Sequence, residues 1–232
     1  MTVGPSAYWY LTRATGAVAL ILLTLSVVVG VAAIGRVKTD HWPRFAIDGI
    51  HRTGSLLALA FLVVHIATAV LDSFAPIRLV DAVIPFAGSY RPLWLGLGAA
   101  SFDLLLAVIV TSLIRVRLGY RSWRAVHWLA YLAWPVALVH GLGTGSDAHM
   151  SWMLAVDVAC TVTVLIAVVA RALIGWPDHL RLRLGALGGA AAFAMGLLIW
   201  VPGGPLGAHW ARRAGTPPAL LAPQPANRGG SG

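Results

Sequence analysis

The chain has 232 residues, of which 59% are hydrophobic and only 11% charged, against roughly a quarter charged in soluble domains. Its mean hydropathy is +0.81, it contains no Glu, and its eight acids are all Asp. A net charge of +9 would suit nucleic-acid binding, but the long apolar runs argue against that partner and make the charge a topology signal on short loops of a membrane protein.

A helix needs about 20 apolar residues to cross a bilayer. The candidate spans are Ala14–Ile34, Ile50–Leu71, Leu93–Ile114, Ala125–Leu142, Trp152–Ile174 and Leu184–Val201. The expected fold is an all-α membrane protein, a six-helix transmembrane bundle over residues 1–201. Within the first span, Val31-Ala32-Ala33 resembles a signal-peptide cleavage site. The apolar core there, about 20 residues, exceeds the 7–15 of an ordinary signal peptide, so a retained helix is expected. The segment Asp72–Pro92 mixes Ile84, Phe86 and Tyr90 with prolines and reads as a cap on the outer surface. Cys160 lies in an apolar run and reads as a packing residue. Residues 202–232, rich in Pro, Gly and Ala and ending Gly-Gly-Ser-Gly, read as a flexible tail unable to form a core.

Loop charges set the orientation. Arg36, Lys38 and Arg44 follow the first span, Arg115, Arg117, Arg121 and Arg124 the third, and Arg171, Arg181 and Arg183 the fifth. After the second span Arg78 and Arg91 are offset by Asp72 and Asp81, and Gly143–Ser151 has no Lys or Arg. The positive-inside rule therefore predicts an integral, multi-pass protein of a bacterial-type cell membrane with both termini outside. Arg212, Arg213 and Arg228 in the tail weigh weakly the other way.

Histidine is costly in hydrocarbon and is rarely idle there. His51 and His65 are fourteen positions apart in the second span, about 21 Å along a helix and within roughly 40° of one another. His127 and His140 are thirteen apart in the fourth, about 20 Å. The two spans run in the same direction, so His51 matches His127 in depth and His65 matches His140. Two imidazoles at each of two depths suit axial ligation of two stacked metal macrocycles, a haem-bearing cytochrome of b type. With no C-x-x-C-H in the chain, the haem would be held non-covalently. One tension stands: thirteen residues rotate an ideal helix by about 220°, which separates His127 from His140 on the helix surface. Pro135 lies between them and is the expected site of a distortion. The remaining histidines, His41, His149, His179 and His209, read as surface residues, with His149 a candidate for the surroundings of an outer acceptor site.

The spacings His51-x13-His65 and His127-x12-His140, and the run Tyr120-Arg121-Ser122-Trp123-Arg124-Ala125-Val126-His127, resemble the ferric reductase-like transmembrane domain family over about residues 8 to 175. That family includes eukaryotic ferric reductases, NADPH oxidases and the haem subunit of a periplasmic methionine sulfoxide reductase. The resemblance implies haem b, two per chain with one as the fallback. His51 and His127 would ligate the inner haem, and His65 and His140 the outer. By the same resemblance Arg13 is a candidate partner of an outer propionate or a group of the acceptor site. Arg52 and Arg124, which flank the inner ligands, are candidates for inner propionates. Arg13 also reads as an interfacial anchor beside Tyr8, Trp9 and Tyr10, and Arg52 and Arg124 as ordinary inner-side charges.

Asp103 and Asp157 fall within spans, where an acid serves a proton path, a ligand hydrogen bond or a neighbouring helix. Trp123, Trp128, Tyr131 and Trp134 cluster on the fourth span. Trp128 and Trp134 are candidates to pack on haem, against the commoner role of belt and helix packing.

No flavin or NAD(P)H module is legible, so the expected electron donor is a separate flavoprotein or quinol. The expected outer acceptor is ferric iron, dioxygen or a redox protein. The chain would then be the haem-bearing membrane component of an oxidoreductase. The competing readings are a proton-coupled transporter using His and Asp as a relay, and a structural membrane subunit. A relay would zigzag through one path rather than pair imidazoles across two helices.

Overall fold

The computed structural model describes residues 6–34, 44–145, 147–174, 176 and 178–221. The inner-loop charges Arg36 and Lys38, His41, Arg228 and the Gly-Gly-Ser-Gly end lie outside the described residues, as does the side chain of Arg44.

The described residues form helices joined by turns and loops, with no strand among them. The elements are α1 (Ala7–Ile34), α2 (Arg44–Leu71), α3 (Leu79–Val83), α4 (Pro92–Leu113), α5 (Arg115–Leu118), α6 (Tyr120–His127), α7 (Leu129–Thr144), α8 (Ser151–Leu173), α9 (Leu180–Gly203), α10 (Trp210–Arg213) and α11 (Pro218–Leu221). Six helical stretches are long and apolar enough to cross a bilayer, α6 and α7 together making the fourth. Predominantly apolar helices of this length satisfy their interior backbone polar groups within the helix, as lipid demands. The protein is an integral, multi-pass membrane protein with the expected six-helix architecture.

Two hairpins organise the bundle. α1 packs along α2, and α4 packs along α7. α8 closes one side against α1, while α9 touches mainly α8 and leaves most of its surface outward. The innermost cluster joins Leu20 of α1, Trp134, Leu138 and Leu142 of α7, and Cys160 and Val164 of α8. Cys160 is thus a buried packing residue. Trp134 fixes α7 to α1 through its indole N–H, which donates to the Thr24 hydroxyl at 2.8 Å.

The distortion of the fourth span occurs at Trp128 rather than at Pro135, which sits inside α7. The Tyr131 amide donates to the Trp128 carbonyl at 3.1 Å, three residues back rather than four. Such a tightened turn advances about 120° per residue instead of about 100°, which removes part of the angular gap between His127 and His140.

The expectation of a structureless tail beginning at Pro202 is corrected as far as Leu221. α9 continues through Pro202 to Gly203, and Pro205, Trp210, Ala214 and Thr216 are buried. Trp210 packs at 5.2 Å from Trp94 and 6.0 Å from Trp200. The attachment is Arg91, which is buried and backbone-strained (φ 41°). Its guanidinium donates to the Thr216 hydroxyl at 2.9 Å and to the carbonyls of Gly143 and Thr144, both at 3.1 Å. Composition hid this because two large residues, not a periodic apolar face, carry the docking.

Two cavities between the helix hairpins

Three of the four histidines, His51, His65 and His140, are seated by the membrane-spanning helix that precedes their own. His65 Nδ1 lies 2.7 Å from the Thr12 carbonyl of α1, His51 Nδ1 3.1 Å from the Ser26 carbonyl of α1, and His140 Nδ1 2.8 Å from the Trp94 carbonyl of α4. A carbonyl only accepts, so in all three rings Nδ1 carries the proton and the lone pair is left on Nε2. Glycines make the close approach possible. A Cβ on Gly98 would stand 2.5 Å from the His140 ring and one on Gly16 2.9 Å from the His65 ring, while one on Gly30 would meet His51 at 3.4 Å.

The hairpins then set the imidazoles opposite one another. The His51 and His127 ring centres are 6.3 Å apart at 69°, and those of His65 and His140 are 6.4 Å apart at 87°. The depth pairing expected from residue spacing is the pairing observed. The His65–His140 level opens on a cavity of about 270 Å³, the His51–His127 level on one of about 100 Å³. Facing imidazoles of this kind can take the two axial positions of a metal centre. No cluster of three or more His, Cys or Asp side chains able to hold a bare metal ion occurs among the described residues.

The larger cavity is polar at one end. Arg13 lines it, as expected, but its guanidinium is already committed: it pairs with Asp147 and lies 3.7 Å above the Trp9 ring. Asp147 and Asp157, both buried, line the same cavity, each with one carboxylate oxygen lacking a partner among the described residues. Asp103, the other intramembrane acid, does not line it. The cap expected over Asp72–Pro92 closes this end, contributing Asp72, Phe74, Ile77, Asp81 and Tyr90 to the wall. Burial opposes ionisation of Asp81. The Arg78 backbone N–H at 2.9 Å, its guanidinium at 3.1 Å and its charge prevail and hold the carboxyl below its usual range. Burial pushes the Tyr90 phenol up, partly countered by the charge of Arg91.

The smaller cavity is lined by Ser26, Ser55, Tyr131 and apolar side chains, with neither a carboxylate nor a cation. Arg52 and Arg124 are exposed and do not line it, so the structure does not bring them to the site. Of the tryptophans, Trp134 lines this cavity, Trp128 is turned outward, and Trp123 packs on the His127 ring with centres 5.0 Å apart. His149 is exposed.

Sequence reasoning missed the seating glycines and Asp147, and it named Trp123 without its packing on His127. One signal for the glycines was present: Gly16 and Gly30 are fourteen residues apart, as are His51 and His65.

Fold and site together define a class: a helical membrane protein whose two hairpins oppose histidine pairs at two depths. The profile of the family described as ferric reductase like transmembrane component matches residues 15–138, just over half of the chain, including His51, His65 and His127. The chain belongs to this family of transmembrane components. No curated protein and no solved structure matches it significantly.

Proposed function

We propose that the protein is a b-type cytochrome subunit that passes electrons across the membrane through two bis-histidine haems. The observation that carries this reading is the separation of the facing rings, 6.3 and 6.4 Å. A metal–imidazole bond of about 2 Å, with about 1.1 Å more from nitrogen to ring centre, puts two axial imidazoles about 6 Å apart. The carbonyl-bound Nδ1 atoms support the same reading, because a ligating histidine characteristically donates its second N–H to a carbonyl or carboxylate. His51 and His127 would hold one group and His65 and His140 the other. Arg13 is the cation available to a propionate beside the second, sharing its charge with Asp147. Haem supplies a reversible one-electron couple at each level.

The protein's own part is to hold, space and shield. Fourteen residues of α2 separate the levels by about 21 Å, within a hydrocarbon layer of about 30 Å. The smaller cavity has a largely apolar wall, which disfavours water at that level. The basic segments 115–124 and 171–183 support an inner position for the His51–His127 level under the positive-inside rule. An electron leaving a negative interior gains about 2.3 kcal/mol per 100 mV, so outward transfer is the favoured sense. The donor would be a separate flavoprotein or quinol, and the acceptor ferric iron, dioxygen or a redox protein at the capped face.

The test is optical and magnetic. Purified protein should show a Soret band and the low-spin signals of bis-imidazole haem, with His140→Ala diminishing both. Protein that is colourless after expression with ample haem, or spectra indifferent to His140→Ala, would contradict the reading.

A further inference from the structure

Two of the three histidine seats are tied within their own hairpin. At the seat of His65 the Thr12 hydroxyl donates to the Thr68 hydroxyl at 2.9 Å. At the seat of His51 the Ser26 and Ser55 hydroxyls meet at 2.6 Å. Each tie reaches α2 three or four residues beyond the histidine it serves.

The seat of His140 is built differently. Trp94, whose carbonyl meets the imidazole, is the third residue of α4, and His140 lies four residues before the end of α7. Helix ends fray unless contacts outside the helix hold them, and their last carbonyls have no donor within the helix. Among the described residues no hydroxyl pair joins α4 to α7 beside His140. The corresponding positions, Gly143 and Thr144, offer carbonyls. Both accept from the Arg91 guanidinium at 3.1 Å, and that of Gly143 also accepts from the Trp210 indole N–H at 3.2 Å. Arg91 is itself anchored by the segment after α9: its amide donates to the Gly215 carbonyl at 3.1 Å and its guanidinium to the Thr216 hydroxyl at 2.9 Å. The Trp94 ring lies on Gly143, where a Cβ would collide with it, stacks on Trp200 at 5.0 Å and meets Trp210 at 5.2 Å. No residue of 204–221 lines either cavity.

We propose that segment 204–221 is a clamp that fixes His140 from outside the cavity, with Trp210 and Thr216 as positioning residues. Trp210 bears on Trp94 and so on the carbonyl that orients the imidazole. Thr216 holds Arg91, which fixes the end of α7. The His51–His127 level lies about 21 Å away along α2 and has its own hydroxyl tie, so the clamp acts on the His65–His140 level alone. This rests on the haem reading above.

Electron paramagnetic resonance of the full chain in nanodiscs tests this, with His51→Ala leaving only the His65–His140 haem and His65→Ala only the other. Trp210→Ala should convert the low-spin signal of the His51→Ala protein to high spin, as His140 loses its orientation, and leave that of the His65→Ala protein unchanged. Trp210→Phe keeps a ring against Trp94 while Arg91 still serves the Gly143 carbonyl, and should stay low-spin in both. Thr216→Val removes the acceptor that anchors Arg91 while keeping the side-chain shape, and should shift the g values of the His51→Ala protein only. A merely structural role would lower Tm and leave both spectra as they were, or degrade both equally. Either result in Trp210→Ala, or in Thr216→Val where the first variant does not accumulate, would overturn the clamp. Wild-type protein devoid of haem by pyridine haemochrome would sink the haem reading and this inference with it. Haem-loaded protein with spectra indifferent to Trp210→Ala would sink this inference alone.

Discussion

The seating of each imidazole depends on the absence of a side chain opposite it. At Gly98 a methyl group would stand 2.5 Å from the His140 ring, and at Gly16 2.9 Å from His65, both too close to accommodate without displacing the ring. Gly98→Ala and Gly16→Ala should therefore lower haem content from two toward about one per chain, through loss of ligand orientation. Gly30→Ala, whose methyl would sit at 3.4 Å from His51, should retain both. Pyridine haemochrome assays on the three variants check this, and equal loss in all three would refute the steric account. At the capped face, Asp81 has its carboxyl held below the ordinary value by Arg78. Its contribution to cap stability is complete above the unfolded carboxylate pKa of about 4 and is lost as pH falls through the depressed folded value. Proteolysis of segment 72–92 should accordingly rise only under acid conditions. Asp81→Asn should weaken the cap by about 1 kcal/mol, the usual worth of a capping side chain. The histidine spacing was legible because helical rise and rotation are fixed. The partnership of Gly16 with His65 was not, because it depends on the register between α1 and α2.

At the scale of elements, the span boundaries were legible from apolar run length, since lipid leaves the backbone few alternatives. The helix distortion was legible as a need but not as a place. The angular mismatch between His127 and His140 demanded extra rotation, and Pro135 was the visible breaker. The chain tightens at Trp128 instead, immediately after His127, while proline is accommodated within α7. The segment after α9 was misread because its docking uses Arg91, more than a hundred residues earlier in the chain, as the anchor. Arg91→Ala would remove three hydrogen bonds around a buried gap, leaving the Thr144 carbonyl and the Thr216 hydroxyl without that donor while the Gly143 carbonyl keeps the Trp210 indole N–H. Hydrogen bonds to a charged group contribute about 1.5–3 kcal/mol each, so a loss of at least about 3 kcal/mol is expected. Faster proteolysis within 204–221 and a lowered Tm would register it, and an unchanged digestion pattern would show that Trp210 alone suffices.

For the whole molecule, two hairpins that face one another set two histidine pairs at two depths, the arrangement on which the proposed conduit rests. This geometry favours the cytochrome reading over a proton relay. A proton relay would have threaded His and Asp along one path, whereas the imidazoles pair across α2 and the α6–α7 span at both depths. Transmembrane conduction follows from the proposal. Ferricyanide trapped inside liposomes should be reduced by an external membrane-impermeant reductant when the membrane contains wild-type protein, and His51→Ala or His140→Ala should slow this at least about tenfold, the effect of only about 1.4 kcal/mol on a barrier. Reduction with both variants at the wild-type rate would point to a route that bypasses the paired sites.

The most direct measurement is the number of haems bound per chain, by pyridine haemochrome against quantitative amino-acid analysis, in wild type and in His51→Ala and His65→Ala. The account predicts two for the natural sequence and about one for each substitution, since each removes one ligand of one bis-histidine pair. A natural sequence that binds none, or a count that neither substitution alters, would contradict it.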